Sequence, residues 1–188
     1  MSEIVHGQPN MYFLFMAMAV KMLRTNGEFV FITPRSWTSG TYFKSFRSYF
    51  MDSMDIQRVH LFESRNSVFK GKEGHSDDIL QETMITYGKK SKSQSRNIII
   101  AISQNAQDLG KVKEIQVESG NCLPEGKEHY FVLPSDEEDL KVLNYMKKMP
   151  NTVEEAGFRF KTGQVVEFRN KEYIAWEKKS LQFHCFIH

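Results

Sequence analysis

From Met11 to Arg24 apolar side chains fall around most of the circumference of the helix these residues favour, a pattern that predicts a helix buried between other elements. Asn26-Gly27 ends it, since a glycine just past a helix takes the left-handed conformation at little cost. The period then changes. Glu-Phe-Val-Phe-Ile-Thr (28–33) is a short apolar run of the kind found in central parallel strands, and Pro34 stops it because proline has no amide hydrogen for a ladder. Thr38, Ser39, Gly40 and Thr41 offer capping residues, and a second helix is expected from Tyr42 to Met51, with Tyr42, Phe46 and Tyr49 or Phe50 on one side. Ile56 to Phe62 alternates as a strand, residues 71–78 are a polar loop, and Ile79 to Tyr87 is another strand.

Helix, strand, helix, strand, strand predicts an α/β fold, the closing half of an open sheet with a hairpin at its edge. The basic, serine-rich stretch from Lys89 to Arg96 marks the expected boundary between residues 1–90 and 91–188. Beyond it the pattern is α+β. Asn97–Ser103 and Val112–Glu118 read as strands, and Asp136–Lys148 reads as an amphipathic helix capped by Ser135, with Leu140, Leu143 and Met146 or Met149 inward. The last stretch, from Phe158, has strand-like pieces around Thr162-Gly163, and the chain is expected to stop inside a domain.

Composition narrows the class. A chain of 188 residues can bury one sizeable core, or one core and the start of another. Its 15 Phe, 7 Tyr and 10 Met exclude a disordered segment. A net charge of +2 neither demands nor excludes nucleic acid, because binding depends on local basic patches. Cys122 and Cys185 stand far apart, which fits free thiols in a reducing cytoplasm. The N-terminus lacks the basic region and cleavage site of a signal peptide, and Phe13–Val20 is too short to cross a bilayer. A cytoplasmic protein without a membrane partner is expected.

Two chemical signatures can be searched for directly. A nucleotide-type cofactor loop needs closely spaced glycines, yet the chain has no Gly-x-Gly; an Asn-Pro-Pro-Tyr loop is excluded too, since no two prolines are adjacent. The histidines and cysteines give no metal set; His184-Cys185-x-x-His188 is only a terminal cluster. No Ser-His-Asp or paired-carboxylate arrangement can be argued from spacing.

What remains carries a resemblance. Asn10-Met11-Tyr12-Phe13 with Phe15, Gly27-Glu28-Phe29-Val30-Phe31-Ile32-Thr33-Pro34, Ser36-Trp37, Tyr42-Phe43-Lys44-x-x-Arg47 and Val68-Phe69 resemble, in order, the segment after the catalytic loop of Eco57I-like (gamma-class) adenine-N6 DNA methyltransferases of restriction-modification systems. Thr162-Gly163 with Val165-Val166-x-Phe168-Arg169 resembles the same family's approach to its target-recognition region. The resemblance implies the closing half of a Rossmann-like class I methyltransferase sheet in residues 1–90. It implies an α+β connection and the start of a target-recognition domain in 91–188.

It also implies the partners: S-adenosylmethionine as the methyl donor of the full-length enzyme, none for this chain alone, and duplex DNA as substrate. With both catalytic signatures absent, the chain is expected to be an inactive fragment unless an upstream polypeptide supplies the cofactor-binding half. A homodimer would be another way to cover the open face. A non-catalytic DNA-binding or protein-interaction module derived from the fold is the alternative.

By resemblance Phe69 stacks on an extruded adenine; by composition it is one of many phenylalanines anchoring a loop. Arg35, just past a strand's carboxyl end, meets a phosphate or braces its loop through a salt bridge. Lys70 and Lys72, with Lys89, Lys90, Lys92 and Arg96, form either a basic rim for DNA phosphates or solvated loops. Asn10 and Tyr12 border the cofactor pocket, or serve as a helix cap and a core side chain. Trp37 is read as core.

Overall fold

The apolar N-terminal run folds as α1 (Met11–Met22), shorter than its pattern predicts. Its end is fixed from a distant strand. The Lys90 ammonium donates to the carbonyls of Val20 (2.7 Å), Leu23 (2.6 Å) and Lys21 (3.4 Å), groups that a helix C-terminus leaves unpaired and partly negative. The left-handed residue of the Asn26-Gly27 turn is Asn26 (φ 61°), a conformation that asparagine tolerates. Gly27 is needed for space instead: a Cβ there would stand 2.9 Å from the Arg24 carbonyl oxygen.

The computed structural model describes residues 10–64, 82–105, 108 and 112–159, in two compact units, Met1–Lys148 and Met149–His188. The first is an α/β unit around a five-stranded sheet of β1 (Glu28–Pro34), β2 (Met54–Phe62), β3 (Thr83–Lys90), β4 (Asn97–Ser103) and β5 (Lys113–Glu118). Its spatial order is β1-β3-β2-β4-β5. β3 runs antiparallel to both β1 and β2, β2 pairs in parallel with β4, and β4 is antiparallel to β5. The hairpin expected at an edge thus lies inside the sheet, with β3 inserted between β1 and β2. The strand expected at the centre of a parallel array, β1, instead opens the order and has an antiparallel neighbour. Its apolar run is suited to cover on both faces, yet Phe29 is 3% exposed while Val30 is 64% and Ile32 46% exposed.

β2 bulges at Gln57, between Ile56 (opposite Gly88) and Arg58 (opposite Tyr87). A Cβ on Gly88 would lie 2.5 Å from the Asp55 carbonyl oxygen, so only glycine admits this close approach of two backbones. Asp55, itself buried, staples the segment after β3. Its carboxylate accepts from the Ser95 amide (2.6 Å), the Ser95 hydroxyl (2.7 Å) and the Gln57 amide (2.8 Å). Burial would raise this carboxyl, but those bonds and nearby Lys89 outweigh it and hold it below the ordinary range. Residues 89–96 therefore form a pinned connection within the first unit, and the sheet continues past position 90 through β4 and β5.

α1 and α2 (Lys44–Ser53) cover one face of the sheet. Their aromatic side chains interlock: Phe13 meets Phe46 at 5.5 Å between ring centres, Trp37 meets Phe46 at 5.8 Å and Phe50 at 5.4 Å, and Phe29 meets Phe50 at 5.3 Å. Edge-on and tilted rings at such distances fill a core densely. Tyr42, expected on this inner side, is 72% exposed because it sits in a 3-10 turn before α2, out of the helix's phase. Past β5, the short α3 (Ser119–Cys122) leads to an extended segment whose Phe131 and Leu133 join the core.

α4 (Glu137–Met146) is capped by Asp136, which accepts from the Asp139 amide at 2.9 Å, while the Asp139 carboxylate accepts from the Ser135 amide at 2.7 Å. Ser135 is therefore not the cap. Leu140 and Leu143 are half-buried, but Met146 is 60% exposed, and Met149 falls beyond the helix. In the second unit, residues 149–159 are described; there Thr152 and Glu155 exchange backbone-to-side-chain bonds of 2.7 and 3.2 Å.

Candidate functional site

Pro34 ends β1, and the chain turns through two short 3-10 turns, Arg35–Thr38 and Thr41–Phe43, before α2. The loop is braced from within. The Thr38 hydroxyl donates to the Arg35 carbonyl (2.9 Å), the Trp37 indole to the Thr33 hydroxyl (3.2 Å), and the Gly40 amide to the Ser36 carbonyl (2.9 Å). No side chain caps α2, so the expected capping role of residues 38–41 passes to these turns.

Arg47 ties the loop to the segment after α3. It is fully buried, and its guanidinium donates to the carbonyls of Trp37 (3.0 Å), Gly40 (2.6 Å), Glu128 (2.8 and 3.2 Å) and His129 (3.0 Å). It also lies over the Tyr130 ring, 5.3 Å from its centre. Burial pulls the guanidinium below its ordinary value, while Tyr130 and Glu128 pull it back; arginine stays a cation throughout the neutral range. Glu128 in turn accepts from the Lys44 ammonium at 2.6 Å, and this bond holds its carboxyl below the usual range. The Phe131 amide donates to the Thr38 carbonyl (2.9 Å) and the Val132 amide to the Cys122 carbonyl (2.7 Å).

Between the loop and this segment lies an open cleft of about 780 Å³, at the carboxyl end of β1. Arg35, Ser36 and Ser39 line one side, Tyr130 and Val132 the other, with Glu82 nearby. Arg35 reaches Glu82 at 3.9 Å, both half-exposed, and its amide donates to the Glu82 carbonyl at 2.8 Å. The cleft thus combines a cation paired with a carboxylate, hydroxyls and an exposed aromatic ring. A molecule with an anionic group and a flat ring would fit it by displacing Glu82 from Arg35.

The sequence-named residues separate into groups. Arg35 stands at the cleft. Tyr12 approaches it from α1, its hydroxyl 3.0 Å from the Ser36 hydroxyl and its ring 5.9 Å from Phe43; burial raises its phenol, and the Ser36 bond works against that. Asn10 holds the N-cap position of α1, exposed, with no capping bond from its side chain. Phe69, Lys70 and Lys72 lie outside the described residues, as do residues 162–169 and the terminal His184, Cys185 and His188. Of the expected basic rim, Lys90 is committed to α1, Lys89 pairs with Glu28 at 3.4 Å, and Arg96 pairs with Glu118 at 4.0 Å. Among the described residues no group of His, Cys, Asp and Glu could hold a metal, and no helix is long and apolar enough to cross a membrane.

Residues 2–69 match the family model of the Eco57I restriction-modification methylase. The type II methyltransferase M.PstI of Providencia stuartii is 31% identical over 169 residues, 89% of this chain. M.BsuBI of Bacillus subtilis is 32% identical over 169 residues, 88% of this chain. The matches identify the chain as a segment of a restriction-modification methyltransferase, with residues 2–69 of the Eco57I type. It spans 32% of the length of each of these two relatives. Among solved structures, the M protein of the type I restriction enzyme EcoKI overlaps 87% of this chain and 47% of its own, at 7% identity and a TM-score of 0.48, a likeness too slight to argue from.

Sequence reading passed over two residues of this methyltransferase segment that the fold brings forward. Arg47 figures only as a motif position, and Tyr130 lies in Glu-His-Tyr-Phe-Val-Leu-Pro (128–134), a stretch without periodicity. The signal available for Arg47 was a cation on the apolar side of a helix, one residue after Phe46.

Proposed function

We propose that this chain forms the closing part of the catalytic domain of a site-specific DNA methyltransferase, which moves a methyl group from S-adenosylmethionine to N6 of adenine in duplex DNA. Residues beyond Lys90 lead toward target recognition. The carrying observation, beside family membership, is the bare apolar surface around α1 and β1. Met11, Phe15, Met18 and Met22 form one stripe of α1 and are 66%, 55%, 43% and 81% exposed. Val30 and Ile32 stand open on β1, whose outer edge pairs with no strand among the described residues. A helix apolar on all sides and a free strand edge both call for a cover, and large bare patches mark interaction sites.

The cover that fits is a polypeptide segment bearing what this sequence lacks, the glycine-rich cofactor loop and an Asn-Pro-Pro-Tyr-type motif. A homodimer would hide the surface but supply neither. In the assembled enzyme Tyr12 borders the cofactor side, Phe69 stacks on the extruded adenine, and Arg35, Lys70 and Lys72 meet DNA phosphates.

Mixing tests this. Tritium from labelled S-adenosylmethionine should enter duplex DNA only when this chain and a polypeptide carrying both motifs from the same restriction-modification system are combined. Val30→Glu should suppress the transfer by putting a charge on the apolar face that the segment has to cover. Transfer by this chain alone, or silence of a mixture that forms a stable complex, refutes the reading. Salt-dependent DNA binding by that silent chain would favour a non-catalytic module.

A further inference from the structure

Tyr130 combines exposure with fixation. Its side chain is 40% exposed, on a segment without helix or strand. Yet the backbone on both sides is held: Arg47 binds the Glu128 and His129 carbonyls, and Phe131 donates to Thr38. His129, the residue before it, takes a left-handed backbone (φ 49°) that a side chain rarely adopts without outside support. One face of the ring carries the Arg47 guanidinium at 5.3 Å, and the side chain as a whole stays 40% exposed in the wall of the cleft. An aromatic that served only to fill space would be turned into the core, as its neighbour Phe131 is at 2% exposure.

The ring lines the same cleft as Arg35, Ser36 and Ser39. At about 780 Å³ the cleft is too small for a duplex and within the range that encloses one small molecule or one nucleotide. Stacking on an aromatic ring is how proteins hold bases that have left the helix, and it tolerates any base because each has a flat face.

We propose that Tyr130 is a stacking platform for one unpaired base of bound DNA, with Arg35 receiving that nucleotide's phosphate in the same cleft. This rests on the reading of the chain as a DNA enzyme. The Arg47 cation acts through Tyr130 and the loop carbonyls as a positioning residue, without itself touching DNA.

The test compares two fluorescein-labelled oligonucleotides of about 12 nucleotides, oligodeoxyadenylate and an abasic backbone of equal length, by anisotropy with the full chain at low salt. The wild-type chain should bind the adenylate about 10-fold more tightly than the abasic strand. Tyr130→Ala should erase that preference while leaving abasic binding unchanged, and Tyr130→Phe should keep it. Arg35→Gln should weaken both strands alike and flatten the salt dependence by about one phosphate's worth. If Tyr130→Ala folds normally and keeps the preference, the stacking role is wrong while the DNA reading stands. If the wild-type chain binds neither strand, the stacking role falls, while the methyltransferase reading stands or falls with the mixing experiment.

Discussion

Replacing Arg47 probes the joint that shapes the cleft. Arg47→Leu keeps much of the buried volume but removes the donors from the carbonyls of Trp37, Gly40, Glu128 and His129. A buried carbonyl left without a partner costs about 1–3 kcal/mol, which over these groups would give a very large loss. Two effects reduce it: the variant no longer has to strip water from a guanidinium, which costs several kcal/mol, and the carbonyls of the 128–130 segment can swing toward solvent. The net expected loss is about 3 kcal/mol, a large part of the stability of a domain this size. Arg47→Lys keeps the charge without the planar fork and should lose roughly half as much. Urea unfolding followed by far-ultraviolet circular dichroism measures the loss. Amide exchange at Phe131 and Val132, both bonded across the joint, shows whether the segment has come loose. A loss under about 1 kcal/mol with both amides still protected would show that Arg47 does not hold this joint and that the carbonyls find other partners at no cost.

Other expectations follow from single contacts. Gly88→Ala drives a Cβ to 2.5 Å from the Asp55 carbonyl oxygen in mid-sheet; urea midpoints should show a loss of about 2–3 kcal/mol, and an unchanged midpoint would rule out the close approach. Asp55 has its carboxyl held low in the folded chain, so its stabilising contribution is complete above the ordinary carboxyl range and is lost as pH falls through the lower folded value. The stability gap between wild type and Asp55→Asn should therefore be full at neutral pH and close in acid; a gap that widens toward acid would contradict the sign. Burial pushes the Cys122 thiol up to about 12. In a Cys185→Ser chain, Ellman's reagent should find no reactive thiol at about pH 8 until denaturant is added, and prompt reaction without denaturant would show the site to be open.

The elements with strong local pattern were readable: α1 from its apolar run, β2 and β4 from alternation and β-branched residues, the end of β1 from Pro34. Strand order was not, because the insertion of β3 between β1 and β2 is decided by pairing between residues more than fifty positions apart, such as Phe29 with Gly88. Small competitions near helix ends also escaped: Asp136 took the cap from Ser135 because its carboxylate reaches the Asp139 amide, and Tyr42 left the helical phase when a 3-10 turn formed. At the cleft, Arg35 could be placed at a strand's carboxyl end from the sequence. Tyr130 could not, since nothing local brings residue 130 beside residue 35; Arg47 and the Phe131–Thr38 hydrogen bond do. Lys90 looked like a surface cation until the fold set it against the last carbonyls of α1.

If this chain is a working part of an adenine DNA methyltransferase, as proposed, the assembled enzyme must leave its methyl group on N6 of adenine. Digesting DNA to nucleosides after incubation with the assembled enzyme and S-adenosylmethionine, then weighing the products by mass spectrometry, tests it most directly. The expected product is N6-methyldeoxyadenosine, absent when Asn-Pro-Pro-Tyr in the partner segment is mutated. A methyl group found on cytosine, or an intact assembly that leaves every nucleoside unmodified, would contradict it.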